Sequence, residues 1–314
     1  MKSWSYLSFS LMVLFLVGLI DDLKEVSANK KLIFQLLIAT LTVLGGTRLV
    51  SFHGFMGIGE LPLFFQYSLS ILIIVGLINA YNLIDGMDGL AAGIGLINSL
   101  AFFTIFILKA EMFLATLSLS FGGSLLAFLF FNFNPAKIFM GDTGSLIIGF
   151  MMAVFAFNVL SPGPEGLISY MEPQHLMVVV FAILMLPVFD SLRVYYQRIR
   201  KGGSPFQADQ THIHHLLHLS GLKVKMAVAV IYLANFVFIG FSFLIRPLNM
   251  ELGVLMLIAL SVGSYKAFTI LFKPFERDPN EIRSKLTLTS EIKSDEQMEN
   301  GRKNEKTLME NVVQ

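Results

Sequence analysis

The chain has 314 residues, 55% of them hydrophobic and 14% charged, with a formal net charge of +1 and a mean hydropathy of +0.70. A soluble domain carries roughly a quarter charged residues, so an ordinary soluble protein is excluded, and the near-neutral charge leaves no basic footprint for nucleic acid. The absence of cysteine excludes disulfides and thiolate metal centres.

Continuous apolar runs of about 20 residues, the length that crosses ~30 Å of hydrocarbon, recur along the chain. They do not alternate in polarity, so a closed barrel is excluded. The expected fold is an all-α polytopic membrane protein with about nine spans, at 5–21, 32–50, 63–79, 88–108, 112–131, 143–161, 175–195, 224–245 and 250–272. The first run follows Lys2 as a signal peptide would, but it lacks a small-residue cleavage site and ends in Asp21 and Asp22. It reads as a retained span. Residues 1–272 form the membrane domain, and residues 273–314 are polar, mixed in charge and poor in aromatics. This tail is expected to be a flexible or loosely helical appendage.

Basic residues near span ends set the orientation. One side carries Lys24, Lys30, Lys31, Lys137, Arg198, Arg200, Lys201, Lys223, Lys225 and the tail, and the other carries Lys2, Arg48, Lys109 and Arg246. The first side is expected to be cytoplasmic, with the N-terminus outside. Four connections on that side carry the unusual residues. They are GLIDDLKEVSANKK with Asp21 and Asp22; NAYNLIDGMDGLAAG with Asn82, Asp85 and Asp88; FNFNPAKIFMGDTGSL with Asn132, Asn134, Lys137 and Asp142; and PVFDSLRVYYQRIRKGGSPFQADQTHIHHLLH with Asp190, Asp209, His212, His214 and His215.

Each motif has an ordinary explanation. One residue of Asp142, Thr143 and Ser145 could cap the helix that follows. Asp21 and Asp22 could be interfacial acids, Asp190 could pair with Arg193 three residues on, and the histidines could sit in a solvated loop. The glycines of DGMDG and MGDTG suit tight turns. Taken together, however, aspartates without basic neighbours in their own short motifs would repel one another on one membrane face unless a cation lies among them. Oxygen donors select hard cations, and Mg²⁺ commonly takes one or two carboxylates plus substrate phosphates. Lys137 and the histidines offer donors to phosphate oxygens. Zinc on Asp209, His212 and His214 is the competing arrangement. The pattern points to a site for a phosphate-bearing substrate at the membrane surface.

With those motifs in their order over residues 18–218, the chain resembles the polyprenyl-phosphate N-acetylhexosamine-1-phosphate transferase family (glycosyltransferase family 4). HIHH preceded by Asp209 resembles the N-acetylglucosamine branch more than the muramoyl-pentapeptide branch with its three consecutive histidines. The resemblance implies transfer of a sugar 1-phosphate from a UDP-N-acetylhexosamine to undecaprenyl phosphate, releasing UMP, in cell-envelope glycan synthesis at the bacterial inner membrane. It implies Mg²⁺, with Mn²⁺ as a substitute, and leaves room for a homodimer. Asp142 is the implied metal ligand, and Asp21 and Asp22 the implied acids at the lipid phosphate, one of them a base. Asn82, Asp85, Asp88, Asn132 and Phe139 match the nucleotide cradle, and His212, His214 and His215 match the motif near the diphosphate. The attacking lipid phosphate is already anionic, so the acids serve more to orient than to activate, and a single in-line displacement is expected over an aspartyl-phosphate.

Two departures stand out. Gln210 follows Asp209 where the family usually has a basic residue, and nine spans correspond to an eleven-span member without its first two. A catalytically impaired, truncated member is therefore the alternative within the family. An ion-coupled transporter predicts ionisable residues at mid-span, whereas these acids cluster at span ends. A membrane metallohydrolase lacks its HExxH signature.

Overall fold

The computed structural model describes residues 4–24, 26–161, 172–202, 212–246 and 248–272. The tail expected at 273–314, and Asp209 with Gln210, lie outside the described residues. The described residues form ten α-helices in order: α1 (Ser5–Lys24), α2 (Ala28–Leu44), α3 (Leu63–Ile84), α4 (Leu90–Leu108), α5 (Met112–Asn132), α6 (Gly141–Leu160), α7 (Pro173–Arg200), α8 (Ile213–Leu219), α9 (Val224–Leu244) and α10 (Met250–Leu271). A short 3-10 turn occupies Phe55–Gly57. The described residues contain no strand beyond an isolated bridge between Ser51 and Glu60, so the chain is an all-α polytopic membrane protein, as its composition requires.

Eight of these helices are long and apolar enough to cross a membrane. The predicted span at 32–50 is the exception. Its helix, α2, runs from Ala28 to Leu44, 17 residues, and stops where Gly46 takes φ +97°, a conformation open to glycine at little steric cost. The helix is displaced toward Lys30 and Lys31, and that displacement brings Lys31 into the site described below.

The bundle is organised around α6. Its sequence, GDTGSLIIGFMMAVFAFNVL, is apolar all round, which marks a buried helix, and 78% of its membrane-length window is buried against 11% for α10. Neighbouring backbones come close to it where glycine leaves space. A Cβ at Gly18 of α1 would stand 2.5 Å from the Thr143 Cα, and one at Gly149 would stand 2.5 Å from the Ile78 Cα of α3. Phe102, Phe106 and Phe155 interlock at its centre with ring centroids 5.7–6.4 Å apart. Within the bundle, Tyr81, Asn98 and Asn235 form a buried hydrogen-bonded chain across α3, α4 and α9. It has no ionisable member other than the tyrosine hydroxyl.

Both ends of α6 are completed by side chains from elsewhere. At the N-terminus the Asp22 carboxylate accepts from the backbone N–H of Asp142 (2.8 Å) and Thr143 (3.1 Å) and from Thr143 Oγ1 (2.6 Å). At the C-terminus Lys109 Nζ donates to the carbonyls of Val159 (2.6 Å) and Ser161 (2.8 Å). An acid at the start and a cation at the end satisfy orphan backbone groups and complement the helix dipole. The expectation that Asp142, Thr143 or Ser145 caps α6 is not met: the N-cap position is Met140, without a side-chain cap, and Asp22 of α1 supplies the carboxylate instead.

Candidate active site

Hydrogen bonds of Asp22, Lys31 and Asn82 to the start of α6, and of Asn132 to Gly89, bring the C-terminal ends of α1, α3 and α5 and the N-terminal ends of α2, α4 and α6 to one end of the bundle. All four sequence motifs meet there.

Asp142, in the first turn of α6, is the hub. Its Oδ1 accepts from Asn82 Nδ2 at 2.8 Å, while Asn82 also reaches Ser145 Oγ at 3.0 Å. Its Oδ2 accepts from Lys31 Nζ at 2.7 Å, and the same ammonium lies 2.6 Å from Asp21 Oδ2. Asp21 is 8% exposed, and its other oxygen accepts from the Val26 backbone N–H at 2.6 Å. Asp21, Asp22 and Asp142 can place one carboxylate oxygen each within 4.8 Å of one another, and no other cluster of histidine and acid side chains among the described residues does so. The donor set is all oxygen, the kind a hard cation takes.

Lys31 is the residue that sequence reasoning missed: it counted toward orientation and not toward the site. The signal available was its position ten residues after Asp21 in the same short connection. The cation found among the acids in this structure is its ammonium.

Gly141, with φ +61°, lets the chain enter α6. A Cβ there would stand 2.6 Å from the Asp22 carboxylate oxygens, so side-chain space and backbone conformation both disfavour other residues.

Beside this cluster lies a cavity of about 440 Å³, lined among others by Asn82, Asp85, Asp88, Asn132, Phe139 and Asp142. Asp85 follows the last turn of α3. Burial, joined by the charges of Asp142 and Asp22, pushes its carboxyl up to about 7. Phe139 is 79% exposed and presents its ring at the rim. Asp88 and Asn132 line the cavity while shaping its wall. Asp88 Oδ2 accepts from Asn134 Nδ2 (2.9 Å) and the Ala136 N–H (3.1 Å). Asn132 accepts from the Gly89 N–H and donates to the Ile138 carbonyl, both at 2.9 Å.

The histidine motif is not a solvated loop. His212 is the N-cap position of α8, and both His212 and His214 are buried, whereas His215 is half-buried. Asp190 of α7 pairs with Arg193 as its spacing suggests, and it also binds His212 Nδ1 at 2.8 Å. The His214 ring lies against Gly86 of the cavity wall.

Fold and site together define a polytopic helical membrane protein with an acid-rich, oxygen-donor centre at one end of its bundle. The model of "Glycosyl transferase family 4" matches residues 4–159. A probable undecaprenyl-phosphate N-acetylglucosaminyl 1-phosphate transferase of Bacillus subtilis is 33% identical over 257 residues, 80% of this chain and 68% of its own length. A decaprenyl-phosphate N-acetylglucosaminephosphotransferase of Mycolicibacterium smegmatis is 35% identical over 69% of this chain and 57% of its own length. An undecaprenyl-phosphate alpha-N-acetylglucosaminyl 1-phosphate transferase of Escherichia coli K12 is 30% identical over 71% of this chain and 60% of its own length. The chain belongs to glycosyl transferase family 4. The matches span 57–68% of the length of these relatives.

Proposed function

We propose that the chain transfers an N-acetylhexosamine 1-phosphate, N-acetylglucosamine 1-phosphate first among them, from a UDP-sugar to undecaprenyl phosphate and releases UMP at the cytoplasmic face of a bacterial inner membrane. The observation that carries this reading is the meeting of Asp142 with Asp21, Asp22, Lys31 and Asn82 at the edge of a polar cavity large enough for a nucleotide sugar. The names of the relatives supply the substrate class.

In this reading the cavity holds the nucleotide, with the exposed Phe139 ring offering a face to the base, Asp85 available to its polar groups and Asp88 holding the wall beside it. Mg²⁺, or Mn²⁺ in its place, would be held by oxygens of Asp142, Asp21 and Asp22 on displacing the Lys31 ammonium that now lies between Asp21 and Asp142. When bound it would neutralise charge on the diphosphate. Asn82 and the capped start of α6 hold Asp142 in place, and the Lys31 ammonium beside it offers a cation to phosphate oxygens.

An oxygen of the lipid phosphate attacks the sugar-bearing phosphorus, the bond from that phosphorus to the bridging oxygen breaks, and UMP departs with that oxygen. Such transfer asks chiefly for positioning and charge neutralisation. The Lys31 ammonium, or a metal ion in its place, draws charge from the Asp21 carboxylate, which favours single displacement over a nucleophilic aspartate. The exposed Phe130, Phe131 and Phe133 at the end of α5 give an isoprenoid tail an apolar approach.

The test is transfer of radiolabel from UDP-N-acetylglucosamine into lipid-extractable product by membranes holding this chain, undecaprenyl phosphate and Mg²⁺. Label that is lost in Asp142→Asn supports the reading. Label retained in that variant refutes the role given to Asp142, and a silent wild-type chain with several UDP-sugars refutes the activity.

A further inference from the structure

Asp190 stands outside the acid cluster and lines no part of the large cavity, yet it is the most heavily engaged carboxylate of the histidine region. It is 2% exposed. Its Oδ1 accepts from Arg193 Nη2 (2.9 Å) and from the Ile213 backbone N–H (3.0 Å), and its Oδ2 accepts from His212 Nδ1 (2.8 Å). A buried carboxylate needs a partner and filled lone pairs. Arg193, one turn along the same helix, already supplies the charge. The two further bonds come from a segment more than twenty residues on, and they serve that segment: one begins α8 and the other orients the imidazole in front of it. Arg193 is in turn braced from α10, donating to Tyr265 Oη at 3.0 Å with its guanidinium 4.4 Å from the ring centroid.

The consequence reaches the cavity through His214. The His212 and His214 rings stack 12° from parallel with centroids 5.7 Å apart. His214 is 2% exposed, and among the described residues neither of its ring nitrogens has a hydrogen-bond partner. Burial pushes its imidazole down to about 3, which keeps it uncharged. Its ring fills the space where Gly86 has no Cβ, and Gly86 sits between Asp85 and Asp88 in the cavity wall.

We propose that Asp190 is a positioning residue for the nucleotide end of the cavity: it holds His212 in the Nδ1–H tautomer, starts α8 at Ile213, and so seats His214 as a neutral spacer behind Gly86. The proposal rests on the function proposed above only for naming the ligand of that cavity. Within HIHH, His212 is then a tether and His214 a prop, and the half-buried His215 is the one open to solvent.

Two measurements test this on the full chain in lipid nanodiscs. The first is ¹⁵N NMR of histidine-labelled protein at pH 8, with His212 assigned by the signal missing from His212→Gln. In the wild type His212 shows the Nδ1–H pattern. In Asp190→Asn the remaining oxygen stays with Arg193 and Ile213, the amide faces the ring, and His212 moves to the Nε2–H form, as expected when the acid behind a histidine becomes an amide. An unchanged tautomer overturns the proposal.

The second measurement is steady-state transfer. Gly86→Ala and Asp190→Asn each raise KM for UDP-N-acetylglucosamine about tenfold, the size expected for one lost charge-assisted bond or a comparable clash, and leave KM for undecaprenyl phosphate unchanged. Adding His214→Ala to Gly86→Ala makes room for the new methyl and restores KM. A harmless Gly86→Ala, or a double variant as impaired as the single, overturns the prop. If the wild type transfers no sugar while the tautomer still depends on Asp190, the proposed function fails and the tether stands. If transfer is robust and the tautomer is indifferent to Asp190, the reverse holds.

Discussion

Lys31 Nζ lies 2.7 Å from Asp142 Oδ2 and 2.6 Å from Asp21 Oδ2, so one ammonium joins the start of α6 to the end of α1. The Lys31 side chain is 24% exposed and that of Asp21 9%, which keeps the pair partly out of water, where screening weakens such contacts. Removing the ammonium leaves two close carboxylates without their cation. Lys31→Met is therefore expected to lower stability by roughly 1–3 kcal/mol in EDTA. Mg²⁺ should recover more of the loss than it adds to the wild type. Thermal unfolding of purified protein with and without MgCl₂ checks this, and equal midpoints for both proteins in EDTA would sink it.

Asp22 takes three donors at the start of α6 and has no contact shorter than those to Asp142 and Thr143. Its first role in the structure is to cap a helix that begins one residue before Asp142. Asp22→Ala should cost about 1–2 kcal/mol, the range of a lost cap with a favourable dipole interaction. Gly141→Ala should cost at least as much, because it meets the same carboxylate and carries φ +61°. Both should lower transfer through displacement of Asp142. Chemical-denaturation midpoints alongside the transfer assay decide the matter: a Gly141→Ala protein of wild-type stability contradicts the capping geometry.

The opposite end of α6 provides the contrast. Lys109 is 7% exposed and holds the last carbonyls of the helix, joined by His53, whose Nε2 lies 3.0 Å from the Leu160 carbonyl. Lys109→Met should destabilise by about 1–2 kcal/mol. It should leave the proposed Mg²⁺ dependence and both KM values as in the wild type, since the site is at the other end of a 20-residue helix. A changed Mg²⁺ requirement in this variant would show that the two ends are coupled.

The helical fold was legible because long continuous apolar runs have no other solution in a membrane. The misplaced second span shows the limit of that signal. The stretch LTVLGGTRLV reads as apolar, but its glycines end the helix and send the chain into the 45–62 connection. The acids were legible because charge so near lipid is conspicuous. The pairing of Lys31 with Asp142 was not, because the two are 111 residues apart, and only the Asp21 half of that bridge lies within one motif. Asp88 and Asn132 were legible as cavity residues but not as wall builders. A polar side chain beside a cavity can turn to ligand or to backbone, and sequence does not distinguish the two.

Asp85 supplies the pH dependence. Its carboxyl titrates near 3.8 when unfolded and is pushed up to about 7 in the fold, first by burial and then by Asp142 and Asp22. Between those values the folded chain binds the proton and the unfolded chain does not, so folding loses stability as pH rises from about 4 to about 7 and levels off above. The loss at pH 8 is at most about 4 kcal/mol, at 1.36 kcal/mol per pH unit. Asp85→Asn cannot ionise there, so it should unfold at a higher temperature than the wild type at pH 8 and at nearly the same temperature at pH 4.5, in metal-free buffer. Cations that settle among the acids should narrow the gap at pH 8, because they offset the charges that oppose ionisation of Asp85. Midpoints measured at both pH values, with and without MgCl₂, test each part. A gap that is larger at pH 4.5 than at pH 8 reverses the sign and shows that Asp85 is ionised in the folded chain well below neutrality.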